Sequence, residues 1–122
     1  PSALRNKLEL YNGGNGLSSL SLAAAIAAYD DFDYMKDALA KTMASREYLY
    51  SVLKAEKYEY IPSSANFVMF PIKMEGRRFS EEMTKRGVSI RTWKFSGKDW
   101  CRVSIGTMEE MQAFTAAFKE IS

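Results

Sequence analysis

Residues 87–110 read GVSIRTWKFSGKDWCRVSIGTMEE, and the alternation within them decides the fold class. Val88 and Ile90 alternate with Ser89 and Arg91; Cys101, Val103 and Ile105 alternate with Trp100, Arg102 and Ser104. A period of two is the strand period, because successive strand residues point to opposite faces. Each segment can therefore bury its apolar set while its arginine points the other way. Two guanidiniums on strands are a candidate clamp for one small anion, since the rigid donor fork of arginine matches carboxylate and phosphate geometry. The competing reading is a pair of ordinary surface arginines.

Outward from this stretch, the elements follow from caps and spacing. Upstream, residues 76–86 predict a helix with Phe79 and Met83 inward and Gly87 as its stop. Ala65 to Ile72 (ANFVMFPI) reads as an apolar strand, Pro62 to Ser64 as a turn and Tyr58 to Ile61 as a short strand. Asn66 at the head of the apolar strand is a candidate ligand contact; the commoner use is a buried asparagine that ties down the preceding turn. A long helix is expected from about Phe32 to Glu56, with Met35, Leu39, Met43, Leu49 or Tyr50, and Leu53 along its buried stripe. Asp30, Asp31 and Asp33 sit where that helix begins and read as caps rather than a metal site. Downstream, Thr107 and Glu110 form a T-x-x-E capping box, and Met111, Phe114, Phe118 and Ile121 give the last helix its buried stripe.

At the amino end, Leu4, Leu8 and Tyr11 recur at helical spacing, NGGNG at 12–16 reads as a flexible joint, and the alanine-rich run from Leu17 predicts a second helix. GNGLSS opens that helix without the third glycine of a dinucleotide fingerprint and without a preceding strand, so it reads as linker and helix start. The order is helix, helix, long helix, strand, helix, strand, strand, helix. The economical packing is an α/β (α+β) layer of helices over a small mixed or antiparallel sheet. If the first two helices lack a partner, their apolar faces are exposed and the domain self-associates.

Composition narrows the function classes. A chain of 122 residues, 47% apolar, is one domain with a real core. The longest unbroken apolar run, Leu22 to Tyr29, is far short of the roughly 20 residues of a membrane span, and no signal peptide is visible. With no histidine, Ser-His and Cys-His catalysis drop out and zinc is weakened. The single cysteine, Cys101, shares a strand face with Val103 and reads as a buried, inert thiol. Residues 73–102 carry nine of the 17 Lys and Arg against four of the 15 Asp and Glu. The charges fall partly on a helix and partly on strands rather than along one stripe, which argues against nucleic acid.

The motifs together resemble a family. SLAAAIAAYDD (21–31), PSSANFVMF (62–70), RGVSIR (86–91) and CRVSIGTMEEM (101–111) are similar, over essentially the whole chain, to the C-terminal small domain of fold type I pyridoxal-phosphate aminotransferases. Within them the histidinol-phosphate aminotransferase group is most similar. The resemblance implies one small domain over residues 1–122, with 1–16 a residual helix and inter-domain linker and 17–122 the core. It implies that Arg102 grips the α-carboxylate of an amino-acid substrate and that Arg91 helps hold the far, phosphate end. TWKFSGKDWC is then the short aromatic linker between the two arginine strands, in which Trp93 lines the pocket or simply packs, and Lys98 is a solvated loop residue. The cofactor, pyridoxal 5'-phosphate, is implied to sit on a large domain absent here, so no catalytic residue and no Schiff-base lysine is expected in this chain.

The opening on Pro1 fits a fragment or processed product. The complete protein implied by the resemblance is a homodimer acting on amino acids and 2-oxo acids, cytoplasmic by default, with no nucleic-acid or membrane partner. Two alternatives stay open: a decarboxylase or lyase of the same cofactor family, and a non-catalytic anion-binding or association module.

Overall fold

A computed structural model describes residues 2–11 and 18–122. The elements run α1 (Ser2–Tyr11), α2 (Ser19–Asp30), α3 (Phe32–Ala55), β1 (Phe67–Pro71), α4 (Gly76–Lys85), β2 (Arg91–Phe95), β3 (Lys98–Ser104) and α5 (Met108–Lys119). The proposed joint at 12–16 lies outside the described residues. By its contacts the chain divides into two units, residues 1–35 and 36–122.

In the first unit the alanine-rich segment is helical, as its propensity requires. None of its described side chains is buried within that unit. Leu20, Ile26 and Tyr29 are all exposed, as are Leu4 and Leu8 of α1. Asp31 caps α3, its Oδ1 accepting from the Tyr34 amide at 3.0 Å.

The second unit holds the sheet. Its order is β1-β3-β2, with both pairs antiparallel, so the expectation of a small mixed or antiparallel sheet resolves to antiparallel. Val68, Phe70, Cys101 and Val103 form one face of it and are buried. They join Leu49, Val52 and Leu53 of α3, Phe79 and Met83 of α4, and Met111, Phe114 and Phe118 of α5 in one core. Phe118 sits at its centre, with the rings of Tyr58, Phe70, Phe79 and Phe114 all within 6.1 Å between centroids.

The caps behave as the sequence predicts. Thr107 and Glu110 make the reciprocal capping box that starts α5. Gly87, at φ 80°, ends α4 in a Schellman turn: its amide donates to the Thr84 carbonyl at 2.9 Å and the Val88 amide to Met83 at 3.0 Å. The same hydrogen-bond pattern closes α3, where Lys57 takes the left-handed position at φ 57° and the Tyr58 amide reaches the Leu53 carbonyl at 2.8 Å.

Four expectations need correction. The α3 stripe is buried only at Leu49, Tyr50 and Leu53; Met35, Leu39 and Met43 are exposed, because the sheet and α5 cover only the last turns of the helix. Tyr58–Ile61 is not a strand but a segment that meets the free edge of β1 at a single bridge, Ile61 to Met69. Val88 to Ile90 precede the first arginine strand instead of forming it; they pack at the margin of the core. TWKFSGKDWC is no linker, because β2 and β3 form a hairpin turned at Ser96 (φ 48°) and Gly97 (φ 75°), and Lys98 opens β3 rather than lying on a loop. Two successive positive φ values are what a two-residue hairpin turn of the favoured hand demands.

Candidate functional site

The sheet has a second face, and the register sets what stands on it. Arg91 pairs directly with Arg102, and Met69 pairs with Arg102 from the other side. Directly opposed residues of antiparallel strands share a face and place their Cβ atoms about 4.5–5.5 Å apart. Both arginines therefore project from the side opposite Val68, Phe70, Cys101 and Val103. Like charges in that position repel, and among the described residues neither arginine has an acidic partner within ion-pair distance. Packing alone gives no reason for such a pair, and two guanidinium forks on one face suit anionic groups.

A cleft of about 450 Å³ opens beside the two arginines, and both line it. Ser89 and Ile90 before β2, Val103, Ser104 and Gly106 at the end of β3, and Met111 and Phe114 of α5 also line it, so the cleft reaches core residues as well as the arginines. Glu110 also borders the cleft, but its carboxylate is engaged by the Thr107 amide at 2.8 Å. It makes no ion pair with either arginine.

Arg102 is held unusually. Its guanidinium carbon lies 5.0 Å from the centroid of the Phe67 ring and 5.2 Å from that of Trp93. The two rings come from the strands on either side of β3, at diagonal positions of the register. Arg102 Nε is buried and has no hydrogen-bond partner among the described residues. Leaving a buried donor unpaired costs about 1–3 kcal/mol, so the atom marks a place where stability yields to another requirement.

The remaining sequence-predicted residues fall in different places. Trp93 does not line the arginine cleft; it covers Arg102 and stands 41% exposed. Asn66 is exposed, not buried, and borders a separate cleft of about 420 Å³ with Leu39, Thr42, Met43, Arg46, Ser64 and Ala65. The turn before β1 is tied down by other groups, the Ser63 amide donating to the Tyr50 hydroxyl at 2.7 Å and the Ala65 amide to Ser63 Oγ at 3.0 Å. Cys101 is fully buried, and desolvation pushes its thiol far above the ordinary cysteine range, so it is unsuited to nucleophilic work. Every lysine of the chain is exposed, which leaves no desolvated amine for covalent chemistry. Phe67 is the contributor that sequence reasoning passed over; its parity in ANFVMF, opposite to Val68 and Phe70, was the available signal.

Known proteins share this architecture. A histidinol-phosphate aminotransferase from Methanothermobacter thermautotrophicus is 38% identical over 112 residues, 86% of this chain and 30% of that protein. The crystal structure of histidinol-phosphate aminotransferase from Sinorhizobium meliloti in complex with pyridoxal-5'-phosphate superposes with a TM-score of 0.73 at 28% identity, over 86% of this chain and 30% of that one. A decarboxylase from Sulfurospirillum multivorans gives a TM-score of 0.74 at 20% identity, over 96% of this chain and 36% of that one, which shows a shared fold alone. The chain spans about 30% of the length of the aminotransferases it matches. Its residues 1–118 match a single family description, and the chain belongs to that family, aminotransferase class I and II.

Proposed function

We propose that this chain is the small, substrate-closing domain of a pyridoxal-phosphate aminotransferase of the histidinol-phosphate type, moving an amino group between an amino acid and a 2-oxo acid. Arg102 grips the α-carboxylate and Arg91 holds the distal anionic end of the substrate. The observation that carries the reading is the pairing of Arg91 with Arg102 on one face beside the cleft, with Arg102 Nε buried and unpaired. In this reading the cofactor supplies the electron sink and is carried by a part of the enzyme outside these residues. The dimeric assembly and cytoplasmic setting implied by the resemblance belong to the same reading.

The domain contributes orientation. A bidentate carboxylate contact fixes the amino acid about its α-carbon and so selects which bond is aligned for cleavage. Closure of the domain over the substrate excludes water and strengthens that charge-assisted contact. In the full-length enzyme, Arg102→Ala should lower kcat/KM for the amino-acid donor by about 100-fold or more, the scale of a lost positioning contact. Near-normal turnover overturns the assignment. Release of carbon dioxide from the donor, in place of a 2-oxo acid, identifies a decarboxylase instead.

A further inference from the structure

The carboxylate reading leaves open what keeps the Arg102 fork aimed. An arginine has four side-chain torsions, and a flexible guanidinium gives little directional control over a ligand. Hydrogen bonds usually supply the aim, but Arg102 Nε has none and the residue makes no ion pair among the described residues. Two rings stand in their place. Phe67 on β1 and Trp93 on β2 flank β3, and their centroids lie 5.0 Å and 5.2 Å from the guanidinium carbon. A cation within about 6 Å of a ring centroid is attracted by the ring quadrupole, and Arg and Trp make the strongest such pairs. A ring restrains the guanidinium without using any of its N–H groups, so the fork stays available for an anion.

We propose that Phe67 and Trp93 are positioning residues that clamp the Arg102 guanidinium and fix the direction from which a carboxylate meets it. The inference rests on the proposed role of Arg102 as the carboxylate grip and adds residues that touch neither substrate nor cofactor. It also accounts for the exposure of Trp93: at 41% the indole is poorly used as packing, yet its cross-strand partner Trp100 anchors the same hairpin by donating from Nε1 to the Phe95 carbonyl at 3.2 Å. The hairpin's length therefore serves to deliver one ring to one guanidinium.

The test uses the full-length enzyme and two donors that differ by one group, an α-amino acid and the amine left when its carboxylate is removed. Their kcat/KM ratio reads the carboxylate contact alone. Trp93→Ala should lower kcat/KM for the amino acid about tenfold with little change for the amine, in line with the worth of a desolvated cation–π contact. Trp93→Phe should restore most of the loss, and Phe67→Leu, which keeps apolar bulk but removes the ring, should reduce the ratio severalfold. The affinity of an unreactive carboxylate competitor should follow the same order. An equal loss for both donors, as general damage to the fold would give, overturns the clamp, and so does an unchanged ratio in Trp93→Ala and Phe67→Leu. The underlying reading fails separately: if Arg102→Ala leaves the ratio unchanged, Arg102 is not the carboxylate grip.

Discussion

The two faces of one three-stranded sheet are built from alternate residues of the same strands, yet they obey different rules. On the core face Val68, Phe70, Cys101 and Val103 are buried against α3, α4 and α5, and each apolar group finds an apolar neighbour. On the arginine face Arg91 opposes Arg102, a buried Nε goes unpaired and Trp93 stands half in solvent. The core face is optimised for stability and the arginine face is not. A sheet that tolerates like charges and an orphaned donor on one side depends on the other side to hold it together.

The comparison breaks most readily on β1, where Phe70 and Phe67 lie three residues apart on opposite faces. Phe70→Ala should destabilise the protein by about 3–5 kcal/mol, the range for emptying a fully buried aromatic site, measured by denaturant unfolding. Phe67→Ala should cost about 1 kcal/mol, because its side chain is part-exposed and contributes chiefly a cation–π contact. Equal losses at the two positions would mean that the arginine face is a second core.

β3 offers a pH-resolved version of the same test. Burial holds the Cys101 thiol far above its unfolded value, so the unfolded chain releases that proton first as the solution becomes alkaline. The contribution is complete below about pH 8.5 and is lost above it, at about 1.4 kcal/mol per pH unit for one proton. Stability between pH 8.5 and 10 should therefore fall more steeply in the natural protein than in Cys101→Ala, and a thiol reagent should label Cys101 only on unfolding. Parallel pH profiles for the two proteins would place Cys101 in a wetter environment than the structure gives it.

How much of this was legible beforehand depended on how local each signal is. The capping box at Thr107 and Glu110, the stop at Gly87 and the inward face of β3 are written within a few residues, and all three hold. A small sheet, mixed or antiparallel, under helices followed from counting apolar faces, and the strand pairing resolves it to antiparallel. The hairpin was missed because RTWKF buries no residue fully on either face, so its alternation carries no hydrophobic contrast; a turn of Ser96 and Gly97 is also a weaker hairpin signal than Asn-Gly. The exposed half of α3 was missed because periodicity reports an apolar stripe, not what covers it. For the arginines, strand parity set Arg102 opposite Cys101 and Val103, but the parity read for Arg91 rested on Val88 and Ile90, which lie before β2, and the direct opposition of the two is a matter of register. The parity of Phe67 in ANFVMF set it on the face opposite Val68 and Phe70, but its contact with Arg102 spans two strands and follows only from their register.

Smaller effects sharpen the contrast. Arg102→Met keeps length and apolar bulk while removing an unpaired buried donor and a like-charge opposition. Those gains, about 1–3 and 0.2–1 kcal/mol, oppose the loss of two ring contacts worth about 0.5–2 kcal/mol each. The net change in unfolding free energy should lie within about 1 kcal/mol of the natural protein, although the same residue is the one expected to dominate substrate binding. A loss as large as that of Phe70→Ala would show that Arg102 is a structural residue, and the difference between the two faces would disappear.

The smallest effect concerns the turn that sets the register. Ser96 sits at φ 48°, a left-handed position that serine occupies at a cost and asparagine occupies far more readily, and the next residue, Gly97, already suits the turn. Ser96→Asn should stabilise the protein by about 0.5 kcal/mol without touching the core face, the arginines or the rings. The residue is exposed and far along the hairpin from Arg91, so any change in carboxylate recognition would have to travel through the strand pairing. A gain in stability with an unchanged preference for carboxylate donors would show that the register is already fixed by the strands. A gain in both would mean that the hairpin frays in the natural protein, and that part of the clamp on Arg102 is set by how firmly two exposed strands stay paired.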